Sequence, residues 1–126
     1  MSRIVLDAGA FVQFEKGNAA VRGWLAAARK RGVEVATTAP VVGQVWRDGR
    51  RQALLARLVS ATRVDAPDTQ AARRAGELLG RARCDDVVDA LVAGLARDGD
   101  TILTSDPDDI RLLVAAAGVR ATVVAI

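Results

Sequence analysis

Short apolar runs alternate along the chain with longer stretches in which apolar residues return every third or fourth position. Ile4-Val5-Leu6 is a buried-strand candidate that ends at Asp7, and residues 9–15 read as a short helix. Asn18 is placed to cap a second helix through Lys30, with Val21, Trp24, Leu25 and Ala28 at helical spacing and Gly32 as its stop. Residues 33–37 alternate as a strand does, and Pro40 suits the first turn of a helix that carries Val41, Gln44 and Val45 up to Asp48-Gly49. Leu54, Leu55 and Leu58 mark a helix over 50–60, residues 63–66 form a short strand, and Asp68 caps a helix through Leu79. Asp85 or Asp86 opens a helix through Arg97, which Gly99 ends. Thr101–Thr104 is a strand, Asp106-Pro107 starts a helix through Ala117, and residues 119–126 close the chain as a strand. Strands that alternate with helices predict a single domain over 1–126, a three-layer α/β/α fold with a central, mostly parallel sheet covered on both faces.

In such sheets ligands bind beyond the carboxyl ends of the strands, and two acids fall there. Asp7 directly follows the first strand, and Asp106 lies just past the strand Thr101–Thr104. Asp89 sits early in the preceding helix, at the flank of an apolar stripe of Val88, Leu91, Val92 and Leu95. Ala93 and Ala96, one and two turns on, leave room for a ligand. Each acid also has a purely structural explanation: Asp7 as a turn former, Asp106 as an N-cap before Pro107 and Asp109, and Asp85 or Asp86 as caps. Asp89 is the hardest to explain that way, because an unpaired carboxylate against a core is costly. Carboxylates that converge repel one another unless cations compensate, and hard oxygen-seeking ions such as Mg²⁺ or Mn²⁺ are the usual compensation.

Composition narrows the chemistry further. There is no His, which removes Ser-His and Cys-His catalysis and His-ligated zinc, and Cys84 stands alone. Aromatics make up only 3%, which speaks against a base-stacking RNA-recognition sheet. Lys16 and Lys30, the only lysines, come too early for a receiver domain or a Walker motif, and Gly9 stands where a haloacid-dehalogenase phosphatase needs its second acid. Residues 1–84 carry 15 Lys+Arg against 7 Asp+Glu, and residues 85–126 carry 3 against 8. That asymmetry suggests a basic surface beside an acidic pocket. No signal-peptide pattern opens the chain and no apolar run approaches a membrane span, so a cytoplasmic protein is expected.

Three segments together, Ile-Val-Leu-Asp-Ala-Gly-Ala at 4–10, Val-Val-Asp-Ala-Leu-Val-Ala at 87–93 and Thr-Ser-Asp-Pro-Asp-Asp-Ile at 104–110, resemble the acidic motifs of PIN-domain ribonucleases. The length and lack of appendages are similar to the VapC-type toxins of bacterial toxin–antitoxin pairs. The resemblance implies a PIN-like fold and a Mg²⁺- or Mn²⁺-dependent endoribonuclease. Asp7, Asp89 and Asp106 match its metal-binding and catalytic acids, and Asp86 and Asp109 are possible additions. The family's Glu on the helix after strand two is replaced by Gln44, which can ligate through its carbonyl but brings no charge. The resemblance further implies RNA as substrate, a cognate antitoxin and a homodimer. The charge of an Asp-rich pocket leads to the expectation that the antitoxin blocks it with a basic side chain, an Arg above all. Arg47, Arg50 and Arg51 are placed to receive the RNA backbone, with Arg73, Arg74, Arg81 and Arg83 extending the basic supply. Two other classes remain open: a degenerate PIN-like domain that binds RNA or a protein without cleaving, and a metal-dependent hydrolase of DNA or small phosphoesters.

Overall fold

The computed structural model describes residues 2–126 and contains five strands and seven helices among them. In chain order these are β1 (Ile4–Leu6), α1 (Ala8–Glu15), α2 (Ala19–Arg31), β2 (Val35–Thr38), α3 (Ala39–Val45) and α4 (Ala53–Ala61). They continue with β3 (Arg63–Asp65), α5 (Thr69–Ala82), α6 (Val87–Leu95), β4 (Thr101–Thr104), α7 (Pro107–Ala117) and β5 (Thr122–Ala125). The sheet order is β3-β2-β1-β4-β5 and every pairing is parallel. Helices α1, α2, α3 and α4 pack together over one face, and α5, α6 and α7 over the other. The three-layer α/β/α expectation is borne out, with a sheet that is wholly rather than mostly parallel.

The core is aliphatic, as the scarcity of aromatics requires. Val5, Leu6, Ile102 and Leu103 from the two central strands are fully buried, and Phe11, Val41, Val92, Ile110 and Leu113 close over them from the helices. At the other end of the strands lies a buried ion pair. Asp100 Oδ1 accepts from the Arg3 backbone N–H at 2.9 Å. Its Oδ2 accepts from Arg3 Nη2 at 3.0 Å and from the Arg97 backbone N–H at 2.9 Å. The same Arg3 Nη2 donates to the Leu95 carbonyl at 2.9 Å and so closes the C-terminus of α6.

This network explains one difference from the sequence pattern. The helix expected to run through Arg97 stops at Leu95, because Asp100 captures the Arg97 N–H and Arg3 takes the Leu95 carbonyl. The helix expected over 50–60 begins only at Ala53, since the Asp48 carbonyl accepts from the Arg51 and Gln52 N–H groups and holds a turn there. The Gln52 side chain adds to that turn by accepting from the N–H groups of Arg47 and Asp48. Helix α5 runs to Ala82 rather than Leu79, ending at Arg83 in the left-handed conformation. Strand β2 starts late, at Val35, because the Val33 N–H is still bonded to Ala28 in the helix cap around Gly32.

Strand order decides where a ligand site belongs. From β1 the chain steps outward to β2 and β3, then returns past β1 to β4 and β5. The winding reverses between β1 and β4, and a crevice opens at the carboxyl ends of those two strands. Both Asp7 and Asp106 follow strands that end there.

Candidate metal centre

Register places the first acid. Leu6 lies opposite Leu103, so Asp7 emerges beside Thr104. Asp7 is buried at 3% exposure and fully engaged. Its Oδ1 caps α1 by accepting from the Ala10 N–H at 2.9 Å, and its Oδ2 accepts from the Thr104 hydroxyl. Thr104 Oγ1 in turn accepts from the Asp106 N–H at 2.8 Å. A three-member relay therefore joins β1, β4 and the start of α7. It commits the single Thr104 hydroxyl proton to Asp7, since the oxygen is already an acceptor on its other side. Gly9 allows this closeness: a Cβ there would overlap the Ser105 side chain in the loop that carries Asp106.

Asp106 does not cap α7 with its side chain, contrary to the purely structural explanation. Its backbone N–H is held by Thr104, and the carboxylate is left to meet others. Oxygens of Asp89, Asp106 and Asp109 all lie within 4.8 Å of one another. Asp109 joins because α7 begins at Pro107 and brings its first turn over the cleft. Asp86, in contrast, is the N-cap of α6, accepting from the Val88 N–H at 2.9 Å and the Asp89 N–H at 3.2 Å. The cap explanation holds there. Gln44 is exposed on α3.

The electrostatics are those of uncompensated negative charge. Burial first, and then repulsion from Asp86, Asp7, Asp106 and Asp109, pushes the Asp89 carboxyl up to about 7. Burial also raises Asp7 above the usual carboxylate range, against the hydrogen bonds from Thr104 and Ala10. Asp109 is raised chiefly by the charge of Asp106. Among the described residues no Lys or Arg forms an ion pair with Asp7, Asp89, Asp106 or Asp109. Oxygen donors, converging without a protein cation, fit a hard divalent ion of the Mg²⁺ or Mn²⁺ kind.

The arginines singled out as RNA contacts lie on the turn between α3 and α4. Arg50 and Arg51 are almost fully exposed at 95% and 89%, only loosely paired with Asp48. Arg47 instead folds back onto the end of α3, donating to the Trp46 carbonyl at 2.6 Å and the Gly43 carbonyl at 3.3 Å. The residue that sequence reasoning passed over is Thr104. It stands inside the Thr-Ser-Asp segment, but its partner Asp7 is 97 positions away and only the β1–β4 register reveals the contact.

Residues 4–114 match the family model of the PIN domain. No curated protein matches the sequence. Among solved structures, the chain is similar to one in the crystal structure of VapBC2 from Rickettsia felis bound to a DNA fragment from their promoter, with a TM-score of 0.67 and 10% sequence identity. The match covers 96% of this chain and 98% of that one, and at such low identity it speaks for the fold. No helix among the described residues is long and apolar enough to cross a membrane.

Proposed function

The chain belongs to the PIN domain family, and from that premise we propose that it is a Mg²⁺- or Mn²⁺-dependent endoribonuclease, the toxin of a toxin–antitoxin pair. The carrying observation is the convergence of Asp89, Asp106 and Asp109 oxygens within 4.8 Å at the point where the sheet winding reverses. These three carboxylates would hold the ion, with Asp7 adding negative charge from the end of β1. When bound, a divalent ion supplies Lewis-acid polarisation of the phosphate and a water of lowered pKa. Thr104 keeps Asp7 and the Asp106 backbone in fixed relation, so the cluster is organised before any ligand arrives.

Exposed Arg50 and Arg51 are available to the phosphates of an RNA strand. An antitoxin partner is supported by the likeness to VapBC2, and a guanidinium, with its planar fork, is the side chain best suited to cover adjacent carboxylates.

Gln44 in the place of the family's Glu favours a second function, a PIN-like domain that binds RNA without cutting it. Cleavage separates the two. Purified protein incubated with total RNA is expected to yield fragments in Mn²⁺ or Mg²⁺ and none in excess EDTA. Fragments that persist in EDTA contradict the metal mechanism, and intact RNA under all metals, with binding retained, establishes the non-cutting alternative.

A further inference from the structure

A second concavity, of about 360 Å³, lies between α5, α6 and the ends of β2 and β3. One wall is Thr38, at 3% exposure, whose hydroxyl has no hydrogen-bond partner. That hydroxyl oxygen is shielded from solvent, and because a buried hydroxyl without a partner is unfavourable, a rotation of the Thr38 side chain that brings it to a ligand atom in the cavity gains affinity. Asp65 lies directly across the β2–β3 register from Thr38 and lines the cavity. Its half-exposed carboxylate is held only loosely, 3.7 Å from Arg63 Nε, and can still accept from a ligand. Arg74 on α5 and Arg97 just past α6 contribute two guanidinium groups that form no ion pair among the described residues. Between these polar ends, Ala90 and Gly94 stand one turn apart on α6 and keep the wall low. A Cβ built on Gly94 would meet nothing within 4 Å.

The cavity thus joins anion recognition to hydrogen-bond acceptors across a smooth wall, in a volume near the lower end for small-molecule sites. A nucleoside monophosphate carries the complementary set: a phosphate for the guanidinium groups, a flat base for the wall, and base N–H groups for the acceptors. Guanine suits a carboxylate best, because it presents two adjacent N–H donors to the two oxygens. The geometry points to a nucleotide subsite here, one that holds a guanosine nucleotide of the RNA strand. The identification of the strand rests on the nuclease function proposed above.

The test uses isotopically labelled full-length chain in EDTA, titrated with 5′-GMP, 5′-UMP, inorganic phosphate and a short acidic peptide while amide resonances are followed. GMP is expected to shift the amides of Thr38, Asp65 and Gly94, and to bind about tenfold more tightly than UMP or phosphate. Gly94→Leu should fill the cavity, weaken GMP by at least about tenfold and leave the melting temperature unchanged or higher, since Leu is the better helix former. An Arg74→Ala/Arg97→Ala double variant should weaken GMP as strongly without the added bulk. No shift at these amides, an equal response to phosphate, UMP or the acidic peptide, or GMP binding undiminished in Gly94→Leu would each overturn the subsite. Because the titration contains no metal, RNA cleavage without GMP binding removes only the subsite. GMP binding without cleavage removes the nuclease function and with it the substrate strand as the nucleotide's source, while the nucleotide subsite stands.

Discussion

Asp89→Asn is expected to fold, to melt above the wild type in EDTA at pH 8, and to lose RNA cleavage by about a hundred- to a thousandfold. The substitution keeps shape and removes one charge from the cluster. In the metal-free chain the Asp89 carboxyl titrates at about 7, well above the ordinary carboxylate value of 3.8, because burial and four neighbouring acids oppose its ionisation. The folded state therefore binds this proton more tightly than the unfolded one. Its contribution is most favourable below pH 4 and is lost as the pH rises through about 7. At pH 8 the ionised group costs a few kcal/mol, less what solvent screening recovers. Melting curves in EDTA should show the two proteins alike near pH 4, with a gap in favour of Asp89→Asn that opens between pH 5 and 8. Saturating Mn²⁺ should stabilise the wild type much more than the variant. A variant that melts well below metal-free wild type at pH 8, or that cleaves RNA normally, would show that Asp89 has a structural role instead.

The largest loss of stability is expected at the opposite end of the sheet. Arg3 and Asp100 are buried at 5% and 1% exposure, their side chains 3.0 Å apart. Burial alone would raise the Asp100 carboxyl, but hydrogen bonds from the Arg97 and Arg3 N–H groups and the Arg3 guanidinium outweigh it and hold it below the ordinary range. Stability from this group is present above pH 4 and lost on acidification. Asp100→Ala leaves a buried guanidinium without its anion and frees the Arg97 N–H, a change expected to cost roughly 3–5 kcal/mol. In a domain of this size that lowers the melting temperature by about 10 °C or more. Arg3→Met/Asp100→Asn, which removes both charges and keeps a side-chain oxygen that can accept from a backbone N–H, should recover part of the loss. Thermal melts at pH 7 check both, and an Asp100→Ala variant within a degree or two of wild type would contradict the assignment.

Sequence patterning reached the alternation of strands and helices because each strand is a short aliphatic run and most helices begin at a readable cap, such as Asn18 or Asp68. The acids at 7, 89 and 106 stood out for a local reason: two follow strands, and one breaks the apolar flank of a helix. What escaped depends on contacts between distant positions. Asp100 reads as a loop acid until Arg3, 97 residues earlier, is placed against it. Thr104 reads as a strand residue until the register sets it beside Asp7. Asp109 stood only as a possible addition implied by the family resemblance, because the sequence does not show that the Asp106 side chain leaves its capping role, and only then do the two carboxylates share one cleft. The late start of α4 was hidden because Gln52 resembles any helix-forming residue and acts here through its side chain.

Anomalous scattering from a crystal of the protein grown with Mn²⁺ addresses the metal centre without reference to any RNA. A peak bonded to oxygens of Asp89 and Asp106, with Asp109 or Asp7 beside it and the peak absent from Asp89→Asn crystals, is the expected result. Contradiction would be a map with no Mn²⁺ peak in this cleft, or with the peak intact in Asp89→Asn.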